Sequence, residues 1–439
     1  MAQKYIPFTK EMKKDYKLLI PNMLPVHFRL IARVLRTYGY DAELLETTGP
    51  HIGETGLRYV HNDTCYPAIL VIGQFIDAIK SGKYDPHKTA LVLFQTGGGC
   101  RASNYVSLLR KALARAGYDY VPVIAFGLMG LEKHPGFDLG VKIWHRMVYA
   151  VFYGDLLMSL VNQVRPYQLN AGEAEALRED WSARLVKEMT EKRISYKKVL
   201  QNYKSIVSDF ASIPMERCDK VKVGVVGEIF VKFSPLANNS LEDFLVSEGA
   251  EVVVPGLVDF CMYCVYNGLI DTKYYGIGKK TLPVWRFIYK FLLKKQNDMR
   301  STIAESGVFK PLSSFDHTVT LTEGYINHGV KMGEGWLLTA EMLELAESGV
   351  NNIVCTQPFG CLPNHICGKG MMKPLKEANP YINIIAIDYD TGASVVNQQN
   401  RIKLMLAGAK RISENTSAQK PNEEIVSRRK NTDEDFIKV

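Results

Sequence analysis

Three cysteines in this chain stand at the same kind of position, where a strand-like run gives way to a helical pattern. Cys65 and Cys361 each lie two residues before a proline, Pro67 or Pro363, and Cys100 follows three consecutive glycines. Proline suits the first turn of a helix, because its missing N–H is not needed there. The free N–H groups and the positive dipole end of a helix N-terminus favour a thiolate or a thiolate-bound cluster. We therefore predict that Cys65, Cys100 and Cys361 act together as metal ligands.

The five other cysteines are weaker candidates for the same set. Cys355 lies six residues before Cys361 at the end of a predicted strand, and we predict it as a further ligand. Cys264 belongs to a Cys-x-x-Cys pair with Cys261, a spacing that can bind metal or cycle as a dithiol. On a helix the two need not point the same way, so Cys264 ranks below Cys355. Cys218 and Cys367 are predicted as packing residues or free thiols.

The spacing of these cysteines favours one kind of metal chemistry. Structural zinc sites draw closely spaced ligand pairs from short loops. The ligands here are scattered from Cys65 to Cys361 and would meet only across a cleft between domains. All-thiolate ligation between domains suits an iron–sulfur cluster better. His61 and His365 flank the two Cys-x-Pro turns and are candidate hydrogen-bond donors to such a group, although a capping or exposed histidine is an equal alternative.

The glycines before Cys100 allow a second interpretation. Gly97-x-Gly99-x-x-Ala102 matches a dinucleotide-binding pattern between a strand and a helix. That motif expects an acidic residue roughly 20 residues on, at the end of the next strand. Asp119 instead precedes the predicted strand 121–126, and no Gly-Lys-Ser/Thr follows the glycines. Gly98 and Gly99 are therefore predicted to make room for a cofactor, with nicotinamide binding as the minor alternative.

The elements that must position these residues alternate between strands and helices in two series. Strands are predicted at 41–47, 90–94 and 121–126, and again at 221–226, 251–254, 349–355 and 382–387. This alternation predicts an α/β fold of two Rossmann-like lobes with mostly parallel sheets and a helical insertion. The predicted domains are 1–214, with a helical segment at about 140–212, then 215–412, and a polar tail at 413–439.

Composition limits the class of protein. The 439 residues are 46% hydrophobic, and a net charge of +8 is too mild an excess to predict nucleic-acid binding. The chain begins without an apolar signal segment, and its most apolar stretch, 147–164, is interrupted by Asp155 and Asn162, which favours a buried helix over a membrane span. Eight cysteines without a signal segment indicate reduced thiols in a cytoplasmic protein.

The segments His61–Ala68 and Gln357–His365 carry a resemblance to a known family. Together with shorter segments, they are similar to proteins of the 2-hydroxyacyl-CoA dehydratase system, and more closely to the acyl-CoA dehydratase activase-related module. The similarity spans roughly residues 45–405. The shorter segments are Gly227–Ile229, Leu236–Asn239, Gly333–Trp336 and Asp388–Asp390.

The resemblance implies two Rossmann-like lobes with an iron–sulfur cluster held between them. In the dehydratases a [4Fe–4S] cluster takes an electron from an ATP-hydrolysing activase and allows a difficult elimination of water, whereas other relatives carry a double-cubane [8Fe–9S] cluster. By position, Cys65, Cys100 and Cys361 are the strongest ligands, followed by Cys355 and Cys264. Three or four thiolates suit a single cubane. Six, with Cys261, suit a double one.

The resemblance leaves several functions open. The chain has no ATPase signature, so a separate activase would supply the electrons, and the substrate is a small molecule or an acyl-CoA. Gln357, Asn364 and His365 are predicted to line the cleft, although Pro-Asn-His could equally form a capped turn.

The alternative to an iron–sulfur enzyme is a non-catalytic electron relay or an activase-docking module. A third possibility is a nicotinamide-dependent dehydrogenase. Monomer and homodimer both stay open.

Overall fold

Two four-stranded parallel sheets, joined by three long helices, form the framework of the protein. The computed structural model describes residues 5–95, 98–126, 132–191 and 194–418, with side chains described through residue 411. The strand orders are β2-β1-β3-β4 and β6-β5-β7-β8. The strands are β1 (Lys17–Pro21), β2 (Asp41–Leu45), β3 (Thr89–Phe94), β4 (Val123–Phe126), β5 (Lys222–Gly227), β6 (Glu251–Val253), β7 (Asn352–Pro358) and β8 (Asn383–Tyr389). The predicted α/β fold with parallel sheets is confirmed.

Helices cover the sheets and connect their strands. They are α1 (Met12–Asp15), α2 (Pro25–Thr37), α3 (Pro50–Tyr59), α4 (Tyr66–Lys80), α5 (Tyr105–Ala116), α6 (Val141–Val164), α7 (Glu173–Met189), α8 (Tyr196–Ala211), α9 (Ile229–Phe233), α10 (Pro235–Asn238), α11 (Leu241–Ser247), α12 (Leu257–Tyr275), α13 (Leu282–Glu305), α14 (Phe315–Thr320), α15 (Leu337–Glu347), α16 (Met372–Ala378) and α17 (Val395–Ala418). The predicted helical segment at 140–212 corresponds to α6, α7 and α8. Residues 419–439, most of the predicted polar tail, lie outside the described part of the chain.

The strand order places a crevice at the same point of each sheet. In the first sheet β1 pairs with both β2 and β3, and in the second β5 pairs with both β6 and β7. The chain therefore reverses its direction of winding between β1 and β3, and between β5 and β7. Ligands of open α/β sheets bind at the carboxyl ends of the strands at such a switch point.

The strand β1 was not recognised in the sequence, although it is central to the first sheet. Its five residues follow a charged stretch and end at Pro21, so the apolar run is short. Leu18 nevertheless pairs with Ala42 on one side and Ala90 on the other, and it is fully buried. Burial on both faces makes such a strand favourable despite its length.

The helix α6 connects the two halves of the fold. It packs against α2, α8 and the strand β6. It is long and apolar enough to cross a membrane, but 78% of its most apolar window is buried within the protein, as in a core helix. Its Asp155 lies 2.7 Å from His27 Nε2 and accepts hydrogen bonds from the backbone N–H groups of Leu257 and Val258, both at 2.8 Å. One buried carboxylate therefore joins α2 to the first turn of α12.

The carboxyl ends of the two sheets also contact each other directly. The Ser234 hydroxyl, after β5 and α9, donates to the carbonyl oxygen of Asn22 just beyond β1, at 3.1 Å. The Tyr66 hydroxyl of α4 donates to the carbonyl oxygen of Ala237 at 3.2 Å. One continuous apolar core includes Leu18 of the first sheet and Val225 of the second. The two crevices therefore face the same region of the molecule.

Candidate functional site

Cys65 begins the helix α4, as the Cys-x-Pro pattern predicts. It is the N-cap residue, Pro67 lies in the first turn, and only 4% of the cysteine is exposed. Its Sγ lies 3.1 Å from the hydroxyl oxygen of Tyr105 on α5. Burial raises the pKa of the Cys65 thiol, and the hydrogen bond with Tyr105 partly opposes this by favouring the thiolate. A thiolate or a metal-bound sulfur at this position thus has a donor in place.

Cys100 follows β3 at the switch point of the first sheet. It caps a short 3-10 turn, Arg101–Asn104, and the regular helix α5 begins directly after this turn. Its Sγ accepts a hydrogen bond from the backbone N–H of Ala102 at 3.4 Å. Burial raises the pKa of the thiol to about 12, and the neighbouring Cys65 contributes to that rise. Cys65 and Cys100 therefore lie within electrostatic reach of each other.

Cys361 comes from the other sheet, in the turn after β7, and this turn packs directly on the start of α4. The backbone N–H of Tyr66 donates to the carbonyl oxygen of Phe359 at 3.0 Å. Gly360 has a φ of +71°, and a Cβ built there would lie 3.1 Å from the Cα of Cys65. A side chain at position 360 would push the two cysteine-bearing turns apart, so glycine is needed for their close approach.

Electrostatic coupling and packing complete the placement of the three cysteines. Burial raises the pKa of the Cys361 thiol, and the charge of Cys100 contributes to the rise. Gly333 lies between the two, since a Cβ there would be 3.6 Å from Cys100 Sγ and 2.7 Å from the side chain of Pro363. Three of the predicted ligands, from both sheets, are thus brought to one place.

Two buried carboxyl groups beside these cysteines were not predicted as site residues. Glu228 follows β5, at the switch point of the second sheet, and accepts a hydrogen bond from the N–H of Val231 at 2.9 Å. Glu334 accepts from the N–H of Ile229, also at 2.9 Å. Burial, and then the charge of Glu334, raises the pKa of Glu228 to about 8. Both carboxyl groups raise the pKa values of Cys100 and Cys361.

The sequence offered one signal for this pair. Both glutamates lie in segments that carry the family resemblance, Gly227–Ile229 and Gly333–Trp336. A single glutamate after a strand or between glycines is otherwise typical of an exposed loop. Only the tertiary structure shows that their environment is dry: Glu228 is 9% exposed and Glu334 is 6% exposed.

A buried ion pair and further acidic groups lie behind the glutamates. Lys232 Nζ donates to Glu341 Oε1 at 2.9 Å, with both side chains almost fully buried. The positive charge of Lys232 lowers the pKa values of Glu228 and Glu334, against the larger effect of burial. Nearby, burial raises the pKa of Asp259 to about 7. The site thus combines thiols with several carboxyl groups that can hold a proton near neutral pH.

The other two predicted ligands lie on β7 and on α12. Cys355 is completely buried in β7, within the apolar core of the second sheet, and its Sγ lies 3.5 Å from Asn364 Oδ1. Burial raises its pKa to about 12, and the charges of Glu341, Lys369 and Asp388 also act on it. Cys355 thus packs in the interior of the second sheet.

Cys264 lies on the helix α12 and is half-buried. Burial raises its pKa to about 12, with a further contribution from the charge of Glu334. Burial also raises the pKa of Cys261, the other member of the Cys-x-x-Cys pair, and the charges of Cys264, Asp155 and Asp259 add to that rise. Both cysteines of the pair are thus within reach of buried carboxyl groups.

The predicted cleft-lining residues have different surroundings. Asn364 is fully buried, and its Nδ2 donates to the carbonyl oxygen of Thr356 at 2.7 Å, which ties the turn to β7 without capping it. Gln357 is 1% exposed and donates to the carbonyl oxygen of Pro358, while its Oε1 has no partner. His365 is exposed on the short helical turn 364–368.

The glycine turn is described only in part. Thr96 and Gly97 lie outside the described residues. Gly98 has a φ of +82°, and a Cβ there would have open space around it. A Cβ at Gly99 would lie 3.6 Å from Met332, which is close to the Gly333 and Cys100 contact. Gly99, rather than Gly98, is thus the glycine that borders the cysteines.

The three thiols form no single-ion site in the described part of the chain. Among the residues described, no three His, Cys, Asp or Glu side chains converge closely enough to hold one metal ion. A single zinc ion needs every sulfur at about 2.3 Å from one point. A [4Fe–4S] cluster instead binds each thiolate to a different iron. The three thiols come from three separate turns, and each sulfur has a hydrogen-bond donor.

Comparison with known proteins adds no family to this picture. The chain matches no protein-family model, and a search of curated proteins also gives no match. The functional argument therefore depends on the chemistry of the clustered residues and on the sequence resemblance described above.

Proposed function

We propose that this chain binds an iron–sulfur cluster through Cys65, Cys100 and Cys361 and uses it to reduce or dehydrate a small substrate. When bound, the cluster would supply single electrons at low potential. The observation that carries the proposal is the convergence of three thiols, Cys100 and Cys361 after the switch-point strands β3 and β7 and Cys65 between the helices α3 and α4. Three thiolates would bind three of the four irons of a [4Fe–4S] cluster. The fourth iron would be left for a substrate or for a further side chain.

The hydrogen-bond donors around the sulfurs support this use. Tyr105 is positioned at Cys65 Sγ, and the Ala102 N–H donates to Cys100 Sγ. Hydrogen bonds to ligand sulfurs stabilise the more negative, reduced state of a cluster and so raise its potential. Because burial keeps the free thiols protonated, cluster binding would release protons from the site.

Glu228 and Glu334 give the site its own source of protons. Their carboxyl groups share the region of Cys100 and Cys361, and burial favours their neutral forms. A neutral carboxyl group can donate the proton that a substrate needs when it gains an electron or loses hydroxide as water. Lys232, paired with Glu341, supplies a positive charge that acts on both glutamates. We propose Glu228 and Glu334 as the proton donors.

The electrons would come from a separate ATP-hydrolysing activase. This part of the proposal rests on the resemblance and on the lack of an ATPase signature in the sequence. The resemblance also supports an acyl-CoA or another small molecule as substrate. The eight cysteines, all free thiols, support a reducing compartment, the cytoplasm.

Iron loading of the anaerobically prepared protein tests the cluster. We expect broad visible absorbance and about four irons per chain for a [4Fe–4S] cluster, or about eight for an [8Fe–9S] cluster, with an EPR signal on reduction. Cys65→Ala, Cys100→Ala and Cys361→Ala should each lose or degrade it. Cys218→Ala, at an exposed cysteine, is the matched control and should retain full iron.

Two results would reject this assignment. Full iron and sulfide in all three single variants would refute the ligand set. Colourless, iron-free protein that binds a nicotinamide nucleotide would favour the dehydrogenase alternative.

A passive electron relay is the second candidate, and the burial of the cysteines favours it. Cys65 is 4% and Cys361 is 6% exposed, which restricts access of a substrate to the cluster. A relay would load iron and accept electrons from an activase, yet it would pass them to another protein without converting an acyl-CoA. Turnover assays with an activase and a reductant distinguish the two candidates.

A further inference from the structure

A cavity of about 560 Å³ lies in the first lobe, away from the cysteines. It is bounded by α2, by the edge strand β2 with the residues after it, and by the carboxyl end of α4. The cysteines lie at the opposite end of α4, which Cys65 caps. A 15-residue helix is roughly 22 Å long, so the cavity is separate from the candidate cluster site. Its size is within the usual range for small-molecule sites, roughly 300–1,000 Å³.

Most of the cations that line this cavity already have partners. Arg29 donates to Glu46 at 2.8 Å and to Glu179 at 3.2 Å. Arg36 Nε donates to the carbonyl oxygen of Ala42 at 2.6 Å. Lys83 donates to Glu43 at 2.6 Å. Each of these three side chains therefore already has a hydrogen-bond or ion-pair partner within the protein.

Arg33 differs from its neighbours. It lies one helical turn from Arg29 and three residues from Arg36, so it shares their face of α2. Its Nη1 is buried without a hydrogen-bond partner, and within the described chain Arg33 forms no ion pair. The Arg33 side chain as a whole is half-buried and lines the cavity. A ligand in the cavity can therefore accept hydrogen bonds from the guanidinium nitrogens that are accessible there.

We propose that this cavity binds a small molecule through an oxyanion, a phosphate or a carboxylate, that accepts hydrogen bonds from the Arg33 guanidinium. The planar guanidinium can donate two parallel hydrogen bonds to either oxyanion. Ala32, Leu44, Leu45 and Ala78 line the same cavity and would contact an apolar part of the ligand. The inference does not depend on iron or on the cysteines.

Anion binding to the whole protein tests the proposal. Inorganic phosphate and acetate are titrated separately by calorimetry and by thermal unfolding, against chloride at matched ionic strength. We expect saturable binding of at least one oxyanion and a rise in Tm with its concentration. Arg33→Met should weaken that binding at least about tenfold, because it removes both donors. Arg33→Lys keeps the positive charge but cannot donate two parallel hydrogen bonds, so it should bind the anion with intermediate affinity.

The matched control is Arg286→Met, at an exposed arginine of α13. It changes the net charge equally and should leave anion binding unchanged. Without added oxyanion, Arg33→Met should have a Tm equal to or above that of the unaltered protein, because it removes an unpaired buried donor. If Arg33 instead serves only to stabilise the fold, Arg33→Met should lower the Tm equally with and without the anion.

The relative affinities assign the ligand. Tighter binding of phosphate indicates a phosphorylated molecule, and tighter binding of acetate indicates a carboxylic acid. The proposal is overturned if neither anion binds, or if the Arg286 control loses as much affinity as Arg33→Met. Because iron is absent from this assay, failure of the cluster proposal would leave its result unaffected.

Discussion

At the scale of single residues, the site is defined by acids whose pKa values burial raises. These acids are Glu228, Glu334 and the three thiols. Burial shifts each of them toward its neutral form, and at Glu228 the charge of Glu334 adds to this shift. Proton release would therefore accompany metal binding, and proton donation would be available to chemistry at the site.

The Glu228 carboxyl group should make stability depend on pH. Its pKa is about 8 in the folded protein, against an ordinary value of 4.5. The folded state thus retains a proton that the unfolded chain loses, and stability falls as pH rises from about 4.5 to 8. Glu228→Gln keeps an acceptor for the Val231 N–H and removes this dependence. We expect it to be more stable than the unaltered protein at pH 8, by at least about 1 kcal/mol, but not at pH 5.

Urea unfolding of the metal-free protein at both pH values measures this effect. Glu54→Gln, at an exposed glutamate of α3, is the control and should change stability by less than about 0.5 kcal/mol at either pH. Equal destabilisation by Glu228→Gln at pH 5 and pH 8 would contradict a neutral Glu228.

The Tyr105 hydroxyl should lower the pKa of the Cys65 thiol. Tyr105→Phe removes the contact at 3.1 Å and leaves the ring in place. Loss of a hydrogen bond to a charged group costs about 1.5–3 kcal/mol, so the pKa of the Cys65 thiol should rise by about 1 to 2 units. NMR of ¹³C-labelled cysteine against pH measures the change in metal-free protein. In loaded protein the same variant should lower the reduction potential. An unchanged Cys65 titration would mean that the hydroxyl does not interact with the thiolate.

At the scale of elements, the decisive feature is the packing of the turn after β7 on the start of α4. Two cysteines from different sheets meet there because Gly360 adopts a left-handed conformation and has no side chain. The backbone hydrogen bond from Tyr66 to Phe359 holds the same contact. Together, these features keep Cys361 beside Cys65.

Substitution of Gly360 should therefore separate the cysteines. Gly360→Ala adds the strain of a positive φ, roughly 1–2 kcal/mol, and a Cβ pressed against the Cα of Cys65. Gly82→Ala is the control, because Gly82 has a similar φ of +74° and open space around it. We expect both variants to lose stability in urea unfolding and only Gly360→Ala to lose iron. Equal iron content in the two variants would show that the close approach is not required.

Sequence patterns predicted this part of the molecule well, for a physical reason. Parallel strands collect their carboxyl ends at one edge, so the turns that carry Cys100 and Cys361 could be placed from the strand pattern alone. The side-chain direction of Cys355 could not, because neighbouring residues of a strand face opposite sides of the sheet. Glu228 and Glu334 escaped notice because burial of a loop residue depends on contacts distant in sequence.

At the scale of the whole molecule, Asp155 is the residue that connects the lobes most directly. Its carboxylate bonds to His27 of the first lobe and to two backbone N–H groups of the second. Gly154 and Gly256 leave the space for these contacts, since a Cβ at either position would overlap the partner side chain. The proposed ligands likewise come from the surroundings of both sheets.

Asp155→Ala should weaken the whole fold. It leaves a buried histidine and two buried N–H groups without their acceptor, a loss of about 3–5 kcal/mol. Asp180→Ala is the matched control, because Asp180 forms only an exposed pair with Arg184 and should cost about 0.5 kcal/mol or less. Chemical denaturation followed by circular dichroism measures both. Comparable losses in the two variants would show that the lobes do not rely on Asp155.

The contact between Phe359 and Tyr66 has a consequence for how the protein matures. It is formed by backbone atoms alone, so it needs no metal. If the chain binds the proposed cluster, this contact would hold Cys361 beside Cys65 before any iron is delivered. Uptake would then show the kinetics of a pre-organised receptor, with little gain of helical signal on loading. Cluster insertion would then be a separate step that follows folding.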